Sequence, residues 1–355
     1  MVVGADGMLP LPWLAAPLAD ALAHQRAHAV LVHAAPGIGA LPFVLTLAQA
    51  WLCEAPEQGP GAPRPCGRCG SCRLVQSRLH PDLLVLLPEL QRQATGWPLS
   101  GDKADDGDIE GGKGKRKPSR QIRVDEVRLA IDWVYKTSSR GRGKVLVLHP
   151  AEAINPTAAN ALLKTLEEPP AGTRLLLSAG DPEHLLPTVR SRCQLLRLPP
   201  PSAEVSRLWL GARGHSEPEV LLAAAGGRPL DALALADAGI DAAAWTALPQ
   251  ALARGQGGML AGWPVSRVVD ALQKLCADAM TLAAGGRPRY FPSAALPPSA
   301  RMDRLANWSR GLARIARHDE HAWNEGLLLD ALVAEARAAL TPAPAAGRAF
   351  DKLGA

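Results

Sequence analysis

Lys144-Val145-Leu146-Val147-Leu148-His149-Pro150, followed by Asn155-Pro156-Thr157-Ala158-Ala159-Asn160-Ala161-Leu162-Leu163-Lys164-Thr165-Leu166-Glu167-Glu168-Pro169-Pro170, is the stretch whose reading decides the fold. The apolar run Val145–Leu148 has no alternation and reads as a strand buried on both faces. Asn155 is a good N-cap, and Pro156 at the first helical position loses no hydrogen bond. The helix over 157–168 carries Leu162, Leu163 and Leu166 on one face and must stop at Pro169-Pro170. Arg174-Leu175-Leu176-Leu177-Ser178 is a second buried strand. The segment closes on Thr188-Val189-Arg190-Ser191-Arg192-Cys193.

Working outward, strand readings fall at 29–33, 82–87, 144–149, 174–179 and 194–198. Helical patterns lie between them, one of them carrying Val124, Val127, Ile131 and Val134 at helical spacing. Strand–helix alternation predicts an α/β fold with a parallel five-stranded sheet and helices on both faces. Beyond Pro199-Pro200-Pro201 only helical patterns follow. The expected organisation is a first domain over 1–200, a small helical lid over 201–240, a helical C-terminal domain over 241–340 and a tail over 341–355. Trp263, Trp308 and Trp323 are the expected packing anchors of the helical part. Between 96 and 120 apolar periodicity vanishes, and an acidic block (Asp102 to Glu110) precedes a basic one (Lys113 to Arg120). That composition predicts a disordered surface insertion.

At 355 residues the chain can hold two or three domains. A charge of +5 from 39 basic and 34 acidic residues is too mild to argue for nucleic acid by itself. No run is apolar enough for a membrane span, which predicts a cytoplasmic protein without membrane contact. Cys53, Cys66, Cys69 and Cys72 follow the pattern C-x12-C-x2-C-x2-C with Gly and Pro between them. Four thiolates in that spacing suit a closed, structural Zn²⁺ site, against the alternatives of unrelated thiols or an oxidised pair. Cys193 and Cys276 read as buried thiols.

Ala159 to Pro170 together with Ser191-Arg192-Cys193, about twenty residues further on, resembles the signature of bacterial clamp-loader subunits, AAA+ proteins of the DNA polymerase III holoenzyme. The zinc module also occurs in that family. The resemblance implies a helical lid, an oligomerising C-terminal collar, and a place in a hetero-pentamer with delta and tau/gamma subunits. Such a ring opens the sliding clamp and loads it on primer–template DNA with ATP bound at subunit interfaces. It further implies that Arg192, within Ser191-Arg192-Cys193, is an arginine finger serving a neighbour's nucleotide.

Within that family a working phosphate loop needs G-x-x-x-x-G-K-[ST] between strand and helix, for amide cradling, Lys contact and Mg²⁺ ligation. Here the first Gly is Ala34, the Lys is Ala40 and the hydroxyl position is Leu41, while Gly37 and Gly39 remain for the turn. The strand-end acids correspond to His149-Pro150, and Glu152 reads as a solvated helix-entry residue. Gly226 to Leu233 resembles the segment bearing the family's second sensor arginine, whose aligned position is Leu230, with Arg228 close by. Three degraded features predict no bound ATP and no intrinsic ATPase activity, in a subunit of a nucleotidyltransferase holoenzyme. The alternative is an active ATPase of tau/gamma type with an atypical loop. A zinc-ribbon nucleic-acid binder is a third reading, disfavoured because only Arg64, Arg68 and Arg73 and few aromatics surround the cysteines.

Overall fold

A computed structural model describes residues 1–55, 64–98, 118–297, 301–317 and 324–341. Most of the charged insertion, at 99–117, lies outside the described residues, as do Trp323 and 342–355. Among the described residues no helix is long and apolar enough to cross a membrane. The chain forms two compact units, Met1–Pro201 and Ser202–Ala355.

The first unit runs α1 (Ala15–His24), β1 (Ala29–His33), α2 (Ala40–Leu52), α3 (Gly70–Gln76), β2 (Leu83–Leu86), α4 (Glu89–Thr95), α5 (Val124–Val134), β3 (Lys144–Leu148), α6 (Pro156–Glu167), β4 (Thr173–Ala179), α7 (Pro187–Arg190) and β5 (Gln194–Arg197). All five predicted strands are present and pair in parallel in the order β2-β3-β4-β1-β5. Alternate strand residues face opposite sides. Leu31, Leu84, Leu86, Leu146, Leu148, Leu175 and Leu177 join one cluster with Val127 of α5 and with Leu162 and Leu166 of α6. The opposite parity meets α2, which is buried on nearly every side, as expected of a helix apolar all round. α6 starts where the sequence predicts, the Asn155 side chain accepting from the Ala158 amide at 2.8 Å.

The second unit is helical throughout its described residues: α8 (Ala203–Gly211), α9 (Pro218–Ala224), α10 (Pro229–Asp237), α11 (Ala242–Ala253), α12 (Val265–Ala283), α13 (Met302–Ala316) and α14 (Glu325–Leu340). α11 packs on α9. Trp308 is buried as expected, but Trp263 is only partly covered. The principal anchor is instead Trp245, 1% exposed, stacked on Phe291 with centroids 4.7 Å apart. Asp278, 1% exposed, accepts from the amides of Arg289, Tyr290 and Phe291 at 2.7–2.8 Å and thereby presents Phe291 to Trp245.

Candidate functional site

The β1–α2 connection is a glycine turn between strand and helix. Gly37 (φ 76°) and Gly39 (φ 108°) sit in the left-handed region, and Gly39 caps α2 while its carbonyl accepts from the Phe43 amide at 3.0 Å. The turn is pinned to the sheet by the Ala34 amide on the Ala179 carbonyl, 3.1 Å, and from outside by the Trp13 indole on the Ile38 carbonyl, 2.8 Å. Leu41, at the position of the hydroxyl, is 8% exposed and packs inward. Neither it nor Ala40 offers a polar atom.

At the end of β3, His149 Nδ1 lies 2.6 Å from Ser178 Oγ, and burial pushes its pKa down to about 4. The side chain there is therefore neutral at pH 7 and brings no negative charge for a metal. Glu152 corrects the solvated reading. Its Oε1 accepts from the amides of Gly180 and Asp181 at 2.6 and 2.9 Å, and its Oε2 is buried. It is committed to holding the chain as it leaves β4, because two amides freed at a strand end need an acceptor.

The His149 shift has a consequence for stability. A His whose folded pKa is depressed takes up its proton in the unfolded chain first, so stability is fully present above about 6.5 and falls as pH drops toward 4. The loss is expected to approach about 3 kcal/mol at the acid end. His149→Gln should flatten that part of the pH–stability curve. An NMR titration placing the ring's pKa near 6.5 would remove the explanation.

The four cysteines converge. Cys53 closes α2, Cys66 and Cys69 flank a turn with Gly67 at φ 71°, and Cys72 lies in α3. Their sulfurs all lie within 4.8 Å of one another, with Cys53–Cys69 and Cys66–Cys72 both at 3.9 Å. A tetrahedron of Zn–S bonds of about 2.3 Å has S–S edges of about 3.8 Å, so the donor set fits the ion. Four amides, of Glu54, Arg68, Cys69 and Cys72, donate to these sulfurs at 3.4 Å, the arrangement that stabilises thiolates. Burial pushes the Cys53 and Cys72 thiols up. At Cys66 the burial is outweighed by the amides of Arg68 and Cys69, which bring it down to about 6.

The knuckle is tied to its surroundings by contacts that spacing alone does not reveal. The Gln49 side chain exchanges bonds with the Val3 backbone at 2.9 and 3.0 Å, and Gln76 donates to the carbonyls of Val3 and Gly67. Glu54 accepts from Arg140 at 2.5 Å, and that guanidinium holds its carboxyl down at about 2. Ser71, His80 and Asp82 do not form a nucleophilic triad. The Asp82 amide donates to His80 Nδ1, so Nε2 carries the proton and gives it to Ser71 Oγ at 2.7 Å, the wrong polarity for a base.

Arg192 lies just before β5. Its Nε donates to Glu167 Oε1 at 2.6 Å, its Nη2 also contacts that oxygen, and its Nη1 donates to the Thr188 carbonyl at 2.8 Å. Glu167, from the last turn of α6, was not singled out by sequence, although it belongs to the same signature. The pair is partly open to solvent, 31% and 48% exposed. Arg190 instead pairs with Glu183. Cys193 is only partly buried, less than expected, and burial raises its thiol to about 12, while the buried Cys276 is raised to about 11. In the second unit, Arg228 caps α10 and pairs with Asp231, and Leu230 is half-buried.

Comparison with known proteins gives these features a context. A family model described as DNA polymerase III, delta subunit matches residues 14–202. The DNA polymerase III subunit delta' of Pseudomonas aeruginosa is 39% identical over 220 residues, 61% of this chain and 58% of that protein. Its Escherichia coli counterpart is 34% identical over 231 residues, 63% and 60% of the respective lengths. The tau subunit of Salmonella typhimurium is 29% identical over 232 residues, 63% of this chain and 31% of its own. The matches thus span less than two thirds of the delta' relatives' length. Because the family model covers more than half of its residues, this chain belongs to the DNA polymerase III delta subunit family.

Proposed function

We propose that the chain is the non-hydrolysing delta-prime subunit of a bacterial DNA polymerase III clamp loader. In this reading it sits in a hetero-pentamer with delta and tau/gamma subunits and helps an ATP-driven ring open the sliding clamp on primer–template DNA. The observation that carries the reading is the β1–α2 turn, in which Leu41 is buried where a metal-binding hydroxyl belongs and Ala40 stands where a lysine belongs. Without those groups the β- and γ-phosphate charge and Mg²⁺ find no partner on this turn. The neutral His149 at the end of β3 supports the same reading.

The chain's own contribution is then structural and in trans. Cys53, Cys66, Cys69 and Cys72 would hold a Zn²⁺ whose four positions they fill, leaving none for water, so the ion stabilises the knuckle and performs no hydrolysis. Arg192 would offer its guanidinium to phosphoryl oxygens bound by a neighbour. The test is ATP hydrolysis and calorimetric ATP binding by the isolated chain. No Mg²⁺-dependent turnover is expected. Turnover that survives extensive purification would overturn the non-hydrolysing assignment and favour a tau/gamma-type ATPase with an atypical loop.

A further inference from the structure

The P-loop-like turn occupies the carboxyl ends of the strands. A second feature lies at the opposite end of the sheet, where β3 and β4 begin and α1 ends. A cavity of about 410 Å³ opens there, lined by Arg26, Trp51, Arg64, Arg142, Lys144 and Arg174 among others. Among the described residues no carboxylate lines it.

Three of its cations, Arg26, Lys144 and Arg174, are placed by backbone and ring contacts. Arg26 donates to the carbonyls of Leu22, Ala23 and Gln25 and so closes the end of α1. Lys144, 5% exposed, donates to the Trp133 carbonyl at 2.7 Å and lies 4.2 Å from the centre of that ring. The carboxylate acting on Lys144 is Asp82, itself held by the Ser138 hydroxyl and the amides of Ser139 and Arg140. Arg174 is half-buried with its guanidinium 4.3 Å over the Trp51 ring, and among the described residues it has no hydrogen-bond acceptor. Arg142 has no partner among them either. Burial and the charge of Arg26 both press on Arg174, lowering its pKa. Gly172, at φ 77° beside Gly143, brings bare backbone into the floor of the cavity.

A partly desolvated guanidinium without an acceptor, as at Arg174, is unfavourable unless an anion completes it, and the exposed Arg142 lines the same cavity. We propose that this cavity is a binding site for a phosphoryl polyanion, held by Arg142 and Arg174 with Arg26 supplying further charge and Lys144 adding to the field from across the sheet. The planar forks of the arginines match phosphoryl oxygens, and several clustered cations favour two or more phosphoryl groups over a single carboxylate. The ring of Trp51 is already covered by Arg174, so the site reads charge and not a nucleobase. The same chemistry is offered by a free di- or triphosphate and by the backbone of single-stranded nucleic acid.

The probe is inorganic pyrophosphate, titrated calorimetrically into the full-length, zinc-loaded chain at low salt. Saturable one-site binding is expected, weakening as ionic strength rises. Arg142→Gln with Arg174→Gln should weaken it by about tenfold or more, with zinc content and thermal melting unchanged. Ala40→Glu, which places a carboxylate at the P-loop-like turn, should bind as the parent does. A single-stranded oligothymidylate that displaces pyrophosphate, and loses affinity in the same double variant, identifies the nucleic-acid backbone as the source. An oligonucleotide that fails to displace it identifies the free anion. Absence of saturable pyrophosphate binding, unchanged affinity in the double variant, or loss of binding in Ala40→Glu would each overturn the site.

Discussion

In a ring reconstituted with delta and tau/gamma subunits, Arg192→Ala is expected to slow hydrolysis at the one site it completes by about 10³- to 10⁵-fold. A transferring phosphoryl group spreads its charge over equatorial oxygens, which a guanidinium meets with two or more donors. Arg192 is held on Glu167 and on the Thr188 carbonyl in the isolated chain, which keeps the side chain directed along one path. That pair is 31% and 48% exposed, and exposed ion pairs contribute only about 0–1 kcal/mol. The guanidinium can therefore exchange Glu167 for a neighbour's phosphate at small cost. Fold, zinc content and assembly should be unaffected, and the stimulated hydrolysis of the ring should fall by the share of one site. Arg190→Ala, which breaks only the surface pair with Glu183, should do less. A fully assembled ring with unchanged hydrolysis and clamp loading would remove the trans role of Arg192.

Stripping zinc should have the other large effect. Apparent binding energies in small zinc modules reach about 10–16 kcal/mol, and that energy is folding energy wherever the metal orders the chain. Here the knuckle is joined to α2 through Cys53 and to the N-terminal arm through Gln49 and Gln76. The hydrophobic cluster under α5 and α6 does not include any of these residues. Chelation, or Cys72→Ser, is therefore expected to abolish amide-exchange protection over residues 64–76, residues 3–5 and the last turn of α2. Amides of β1, β3 and β4 should stay protected. Metal analysis that finds no zinc in protein purified without chelator would sink the assignment. Collapse of the whole sheet on chelation would show instead that the knuckle is no local module.

The pH dependence expected from His149 and the anion cavity share one origin. Both place an ionisable side chain where burial, set by strand neighbours, opposes its charge. In the first case the ring gives up its proton. In the second, the Arg174 guanidinium keeps its proton and awaits a counter-charge.

What was legible in the sequence was local. Unalternating apolar runs marked β1 to β4, since a strand covered on both faces must be apolar at successive positions, whereas β5 is an exposed edge strand with only two consecutive leucines. Asn155-Pro156 and Pro169-Pro170 bounded α6 because caps and ring sterics act within one turn. The cysteine spacing and the glycines of the β1–α2 turn were equally plain, each being a short-range requirement. Pairings across the sheet order were not legible. Glu152 meets Gly180 and Asp181 because β3 lies beside β4, and Arg192 meets Glu167 because α7 packs on α6. Trp245 outranks Trp263 as an anchor only because Asp278 delivers Phe291 to it. The basic cavity collects Arg26, Trp51, Arg142, Lys144 and Arg174 from four separated stretches, none of them conspicuous alone. Periodicity and caps report what a residue does within a few positions along the chain, whereas the side chain that faces it across the fold is chosen by strand order and packing, which only the tertiary structure supplies.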